Sequence, residues 1–264
     1  MSTLTNIHNQ VAMSKGIGTV RIGTSGVVVP GSKATFAKEF HDTSRLHYYA
    51  RLFETLEINS SFYKVPKAAT FEKWSNDVPQ DFKFTVKLYR EITHAKNLAY
   101  DIEQITNFVK ALAIPKRQQG CLLIQFPASI SNAYHEHVEK LLQTLTKLNA
   151  DNGWQLVVEF RDADWYVQST NDLLDRYRAS IVLHDMPKSK TELLNEKASV
   201  AYVRFHGPKG DYRGSYTDEI LNEWAAKIKA YQKRGIDVYV YFNNTIGNAF
   251  ENAQLLRSLL NPRS

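Results

Sequence analysis

The chain has 264 residues, of which 43% are hydrophobic and 23% charged, and these proportions are typical of a folded globular protein. Its single cysteine, Cys121, excludes an intramolecular disulfide, and no apolar run approaches the roughly 20 residues that a membrane-spanning helix needs. The net charge of +6 is spread along the chain without a long Lys/Arg block, so it indicates a polyanionic partner only weakly.

The first 18 residues are polar and lack the apolar core of a secretory signal, so we expect a flexible arm over 1–18 and a cytoplasmic protein. From residue 19 onward, apolar and β-branched runs alternate with segments of helical periodicity. The runs predict strands over 19–26, 55–63, 82–88, 120–127, 154–161, 179–185, 199–207 and 237–245. The clearest helical segments are 46–53, 101–113, 134–148, 171–178, 217–234 and 247–260.

Strands that alternate with helices indicate βαβ units and a parallel sheet, and eight such units favour closure into a barrel. We therefore predict the α/β class, with a single closed (β/α)8 TIM-type barrel as one domain over 19–264. An open doubly wound sheet is the structural alternative. It is disfavoured because no Gly-rich dinucleotide fingerprint follows the first strand.

The parity of the predicted strands indicates which side chains enter the barrel, because successive side chains of a strand point to opposite faces. In the fifth strand, for example, Val158 and Phe160 alternate with Glu159 and Arg161. The apolar set should pack against the helices and the polar set should point inward. The inward set is most polar at the carboxyl ends of the strands, where barrel enzymes hold their chemistry. Its members there are Ser25, Asn59, Lys87, Gln125, Arg161, His184, His206 and Asn243.

Candidate roles for the inward-facing residues follow from the chemistry of their side chains. Glu57, Glu159 and His206 are candidates for proton transfer. The candidates for substrate binding are Asn59, Lys87, Gln125, Arg161, Arg204 and Asn243. The inward set contains four cations and only two carboxylates. The cations are Arg21, Lys87, Arg161 and Arg204, and the carboxylates are Glu57 and Glu159. Because an unpaired buried charge is costly, this surplus predicts a bound anion. A purely structural ion-pair network is the alternative.

Other chemistries are less well supported. Glu57 and Glu159 do not occupy the strand ends at which common barrel glycosidases carry their carboxylates. His94, His184, Asp185 and His206 could ligate a metal, but they show no HxH or HExxH spacing. We therefore expect neither a metal nor a cofactor. Tyr63, Trp165, Tyr166, Tyr212 and Tyr216 lie near strand ends and could stack on a sugar or a base, or could pack beneath loops.

Several short motifs contain these same residues. They are GTSG (23–26), LEINSSFYKVP (56–66), FKFTVK (82–87) with ITH (92–94), QFP (125–127), VEFRDADW (158–165), YVRFHG (202–207) and YFNN (241–244). In their order and combination they resemble the YecE-like family, a family defined as a domain of unknown function, DUF72. The resemblance extends over most of the chain. It implies a barrel of the triosephosphate-isomerase type and implies no activity.

The sequence favours an enzyme that binds a small phosphorylated or carboxylated substrate at the C-terminal mouth of the barrel. It would be a hydrolase or an isomerase/lyase with acid–base carboxylates. The alternative is a nucleic-acid-binding protein or a phosphodiesterase resembling endonuclease IV. We expect no membrane partner, and the oligomeric state is open. We also expect an anion to bind the backbone of the glycine-rich loop 207–214, beside the starts of the last two helices.

Overall fold

The computed structural model describes residues 16–261, so the predicted arm over 1–18 lies almost entirely outside the described residues. Strands β1 to β8 are Val20–Thr24, Thr55–Ile58, Lys83–Lys87, Gln119–Phe126, Gln155–Phe160, Ser180–His184, Val200–Phe205 and Asp237–Phe242. Within the same range, helices α1 to α9 are Arg45–Leu52, Ser60–Tyr63, Ala68–Asn76, Arg90–Thr93, Ile102–Ala111, His135–Leu148, Gln168–Arg176, Asp218–Lys233 and Ala249–Leu260. None of these helices is long and apolar enough to span a bilayer.

The eight strands form one parallel sheet in the order β1-β8-β7-β6-β5-β4-β3-β2. The two end strands meet through a single parallel bridge between Ser25 and Glu57, and the amide of Gly26 donates to the carbonyl of Glu57 over 2.8 Å. The sheet is therefore a nearly closed barrel with helices outside it, and the predicted (β/α)8 architecture is confirmed.

The junction between β1 and β2 is completed by a side chain from helix α1. The buried hydroxyl of Tyr49 accepts from the amide of Thr24 over 2.8 Å and donates to the carbonyl of Thr55 over 3.0 Å. It satisfies backbone groups that a regular ladder would otherwise pair. Gly23 is required at this junction, because a Cβ there would lie 2.2 Å from the carbonyl oxygen of Thr55.

The predicted strand parity is confirmed. Outward-facing residues such as Val158 and Val203 join the large core between sheet and helices. A second, smaller cluster fills the middle of the barrel interior, so polar side chains occur mainly above and below it. Its members are Cys121, Leu123, Val157, Val182, Val200, Tyr202, Tyr239 and Tyr241.

One connection differs from the sequence prediction, and another departs from a regular βα unit. The second strand ends at Ile58 instead of continuing to residue 63, because the Ser61 hydroxyl donates to the carbonyls of Ile58 and Lys87 and bends the chain into helix α2. Helix α3 follows, which we did not predict. Between β6 and β7 a loop replaces the helix of a regular unit, and a backbone bridge between His184 and Thr191 folds this loop back onto the strand end.

Candidate functional site

The carboxyl ends of the strands surround an open mouth that contains two adjacent cavities. The larger has a volume of about 690 Å³ and the smaller about 340 Å³. Both are lined by Phe62, Tyr63, Lys87, Arg161 and Tyr212, so they are neighbouring parts of one site. The larger lies within the size range of small-molecule sites.

A buried ion-pair network forms the floor of the mouth, and Arg204 is its centre. Its Nε and Nη2 donate to the two carboxylate oxygens of Glu57 over 3.0 and 2.8 Å. Its Nη1 donates to Glu159 over 2.7 Å. All three side chains are at most 1% exposed. A bidentate pair of this kind fixes the plane of the guanidinium and therefore the position of both carboxylates.

The network holds both glutamates ionised. Burial alone raises the pKa of Glu57, but the charge of Arg204 and hydrogen bonds from Arg204, Ser25 and Tyr202 outweigh it and keep that pKa below its usual value. Burial likewise opposes ionisation of Glu159, and the charges of Arg161 and Arg204 lower its pKa well below the usual value. Both carboxylates therefore remain charged and accept hydrogen bonds from the arginines.

The network continues from Glu159 towards the β6–β7 loop. Arg161 is paired with Glu159 through Nε, and its Nη2 donates to Nε2 of His206 over 3.0 Å. The opposite nitrogen of that ring, Nδ1, lies 3.1 Å from the Asp185 carboxylate, which also accepts from Tyr216. Burial lowers the pKa of His206 and outweighs the hydrogen bond to Asp185, so the ring is neutral at neutral pH with both nitrogens engaged.

Lys87, the last residue of β3, differs from the arginines because none of the ion pairs within residues 16–261 includes it. Its Nζ donates to Oε1 of Gln125 over 2.8 Å and lies 4.0 Å from the centre of the Phe62 ring. Burial is the main cause that lowers the pKa of Lys87, to about 7, and the charges of Arg204 and Arg161 lower it further. The charges of Glu159 and Glu57 act in the opposite direction.

All six residues predicted to bind substrate line at least one of the two cavities, namely Asn59, Lys87, Gln125, Arg161, Arg204 and Asn243. The three predicted acid–base residues do not line either cavity. Glu57, Glu159 and His206 are fully buried beneath it, with their polar atoms bonded to the arginines. In this arrangement they position the guanidinium groups and have no exposed atom to offer a substrate.

The side-chain amide oxygen of Asn59 is buried at the mouth. Oδ1 of Asn59 accepts no hydrogen bond from any described residue. Its side chain lines the smaller cavity together with Asn243. Because an unsatisfied buried carbonyl oxygen is costly, it favours a ligand that donates a hydrogen bond at this position.

The aromatic residues near the strand ends divide into two groups. Trp165 stacks on Phe160 in the outer core, and Tyr216 is buried, so both pack beneath loops. Tyr63 and Tyr212 line both cavities and are 70% and 37% exposed. These two are the ones available to contact a ligand.

The predicted surplus of inward positive charge is wrong for two reasons. Arg21 lies at the opposite end of the barrel, where it lines a separate cavity with Asp237 and its guanidinium faces the ring of Tyr239. Asp185, which we had considered only as a metal ligand, joins the network through His206. The floor therefore contains three cations, Lys87, Arg161 and Arg204, and three carboxylates, those of Glu57, Glu159 and Asp185.

The predicted backbone anion site in loop 207–214 is reduced, because three of its amides already have hydrogen-bond partners. The amide of Gly207 donates to Tyr216, that of Gly210 to the carbonyl of Gly207, and that of Tyr212 to the carbonyl of His206. These three amides are not free to bind an anion, and anion binding by the rest of the loop stays a prediction. The loop folds over the mouth, where Lys209 and Tyr212 line the larger cavity.

The larger cavity is nonetheless cationic. Sequence reasoning did not identify Arg90, which follows β3, or Lys188, which lies in the β6–β7 loop. The cationic lining residues are Lys87, Arg90, Arg161, Lys188 and Lys209, and none of the described residues that line it is an aspartate or glutamate. His94 also lines it, and burial together with the charge of Lys87 lowers the pKa of His94 to about 4. Over residues 16–261, no three His, Cys, Asp or Glu side chains are grouped as metal ligands would be.

Comparison with known proteins relates this chain to proteins of the same size. The family model "Protein of unknown function DUF72" matches residues 21–264. The UPF0759 protein YunF of Bacillus subtilis (strain 168) is 26% identical over 247 residues, and the match covers 82% of this chain and 86% of YunF. The UPF0759 protein YecE of Escherichia coli (strain K12) is 29% identical over 84 residues, 32% of this chain and 31% of YecE. A crystal structure of a DUF72 family protein from Enterococcus faecalis V583 has the same fold, with a TM-score of 0.75 at 20% identity over 93% of this chain and 99% of that one.

Proposed function

This chain belongs to the DUF72 family, whose function is not established, and from that premise we propose that it is an enzyme that binds a small anionic substrate, phosphorylated or carboxylated, at the C-terminal mouth of its barrel. The observation that carries this proposal is the lining of the larger cavity. It contains five basic side chains and, among the described residues, no carboxylate. A concave surface of one sign concentrates ligands of the opposite charge.

The floor of the site supports the same function. Arg161 uses two of its five N–H groups on Glu159 and His206, so three have no partner among residues 16–261. A guanidinium held by a carboxylate on one side is a preorganised donor for a phosphate or carboxylate on the other. The glutamates therefore support catalysis by orientation, and the lysines of the loops add charge around the bound anion.

The test is calorimetric titration of the protein with inorganic phosphate and with small phosphorylated and carboxylated compounds. The double variant Lys188→Gln/Lys209→Gln removes two exposed cations of the mouth. Each exposed charge some 6 Å from an anion contributes about 0.5 kcal/mol, so we expect affinity to fall about three- to tenfold. The matched control, Lys110→Gln/Lys147→Gln, removes the same charge from exposed positions at the ends of α5 and α6.

Equal affinity of both double variants for phosphate, or absence of binding to the wild type, would contradict the proposal. The alternative of a nucleic-acid partner predicts a different result. A short DNA or RNA oligonucleotide would then bind more tightly than phosphate, and its affinity would fall steeply as the salt concentration rises from about 50 to about 200 mM. Nothing in the grouping of metal-ligating side chains over residues 16–261 favours a metal-dependent phosphodiesterase.

A further inference from the structure

Within residues 16–261, Lys87 differs from the two arginines of the barrel floor because no carboxylate is paired with it. Arg204 and Arg161 each contact a glutamate, whereas the hydrogen bond of Lys87 goes to the neutral amide oxygen of Gln125. The lysine side chain lines both cavities, so its amine is next to any ligand that occupies the mouth.

The surroundings of this amine favour its neutral form. Burial is the main cause that disfavours the ammonium, and the charges of Arg204 and Arg161 act in the same direction. The charges of Glu159 and Glu57, and the face of the Phe62 ring 4.0 Å from Nζ, favour the ammonium, but the balance still lowers the pKa of Lys87. The imidazole of His94 also contacts Phe62, and its low pKa means that it adds no positive charge at neutral pH. With a pKa of about 7, roughly half of the Lys87 side chains are unprotonated at neutral pH, against about one in three thousand for an ordinary lysine.

We propose that Lys87 is a nucleophilic amine that forms a Schiff base with the carbonyl group of an aldehyde or ketone whose anionic group is bound by the cations of the mouth. The proposal rests on the anion-binding function above and adds the reacting group of the substrate. A desolvated lysine beside another cation is the environment in which this chemistry is found.

The bond changes are as follows. The lone pair of the neutral Nζ attacks the carbonyl carbon, the carbonyl π electrons move to oxygen, and a proton passes from nitrogen to that oxygen to give a carbinolamine. The hydroxyl takes up a second proton from solvent and departs as water while the nitrogen lone pair forms the C=N bond. The product is a cationic iminium, and no oxidant or reductant is needed. The iminium withdraws electrons from the neighbouring carbon, so the reaction class is proton abstraction or carbon–carbon cleavage next to the former carbonyl.

The rest of the site fits this chemistry. Gln125 accepts one N–H of Lys87 and so directs the amine, while Arg161, Lys188 and Lys209 lie in the same cavity to hold the anionic end of the substrate. Tyr63 and Tyr212 stand at the mouth, where they can cover the adduct.

The test is reductive trapping of the full-length protein at neutral pH. The probes are glyoxylate, an anionic aldehyde, and glycolaldehyde, a neutral one, each with sodium cyanoborohydride. Peptide mapping by mass spectrometry then gives the rate for every lysine in the same molecule. We expect Lys87 to be modified by glyoxylate on the order of tenfold or more faster than the exposed Lys147, because its neutral fraction is far larger while its nucleophilicity is somewhat lower. The rate should rise with pH through a midpoint near 7.

The variant Lys87→Met should lose the fast phase of labelling, and circular dichroism checks its fold. Inorganic phosphate should slow the reaction of Lys87 with glyoxylate and leave Lys147 unaffected. Labelling of Lys87 no faster than Lys147, in a protein that binds phosphate through Lys188 and Lys209, would overturn the Schiff-base proposal and leave the anion site standing. Fast labelling of Lys87 by both aldehydes at equal rates, unaffected by phosphate, would instead support the reactive amine and contradict the anion-binding function.

Discussion

Replacing Arg204 by methionine should show whether the network beneath the mouth is a structural frame. The change keeps much of the side chain's length and removes its three hydrogen bonds to Glu57 and Glu159. Breaking a buried ion pair typically costs 3–5 kcal/mol, because the remaining partner is left charged and desolvated. Here each glutamate keeps another partner, Glu57 its neighbour Ser25 and Glu159 its neighbour Arg161. We therefore expect a loss of about 3–4 kcal/mol in the free energy of unfolding.

The sign of the pH dependence is a second, independent part of this prediction. In the wild type the pKa of Glu57 is held below its usual value, chiefly by Arg204 against the effect of burial. Without Arg204, burial should raise the pKa of Glu57 above its value in the unfolded chain. The variant should then become less stable as the pH rises. Its loss in the free energy of unfolding, relative to the wild type, should therefore be smaller near about pH 5 than near about pH 7.5. The double variant Arg204→Met/Glu57→Gln should recover part of the loss at the higher pH.

The assay is urea denaturation followed by tryptophan fluorescence and circular dichroism at both pH values. The control variant is Arg176→Met, which breaks an ion pair with Glu139 in which the arginine is 59% exposed, and it should change stability by at most about 1 kcal/mol. A cost for Arg204→Met as small as that of the control, or a deficit that grows as the pH falls, would refute the reasoning.

Two further predictions concern the barrel seam and the acid limit. Tyr49→Phe should lower the free energy of unfolding by about 1–3 kcal/mol, because it leaves the amide of Thr24 and the carbonyl of Thr55 unpaired in a buried site. Hydrogen exchange of the Thr24 amide should become faster in this variant. Tyr63→Phe, at an exposed position, is the control. The pKa of Glu57 is lower in the folded protein than in the unfolded chain, so the stability that its charge contributes is present above the unfolded pKa and is lost as the pH falls through the folded pKa. The urea midpoint should therefore drop below about pH 4, and the drop should be smaller in Glu57→Gln. An equal drop in both proteins would contradict the assignment.

The fold could be predicted because period-two alternation persists through strands buried on both faces. Polar residues at every second position, such as Glu159 and Arg161, distinguish the inward face from the outward one even though both are covered. The end of β2 could not be predicted, because apolar residues continue beyond it. The chain turns through the hydrogen bonds of Ser61, one of which reaches the carbonyl of Lys87 in the neighbouring strand. A contact between residues so far apart in sequence leaves no periodic signal.

Strand parity predicts which strand residues point into the barrel. It does not predict how far along the barrel axis each side chain lies. Parity assigns both Arg21 and Arg204 to the interior but does not say that Arg21 enters from the other end. The charges contributed by loops, such as those of Arg90 and Lys188, depend on how each loop returns to the mouth, which no strand pattern encodes. The partners of the Gly207, Gly210 and Tyr212 amides could not be predicted for the same reason, since they depend on how the loop folds.

The buried acids and the reactive lysine are two consequences of one arrangement. In the proposed site Arg204 must remain charged to donate hydrogen bonds to an anion, and its deep burial would oppose this unless carboxylates were buried with it. Glu57 and Glu159 supply that compensation, and their contacts with the arginines leave Lys87 without a carboxylate partner of its own. Burial, together with the charges of the same two guanidiniums, disfavours the ammonium form of Lys87 and lowers its pKa. Substitution of Arg161 or Arg204 should therefore raise the pKa of Lys87, and the labelling midpoint of Lys87 should shift upward in those variants.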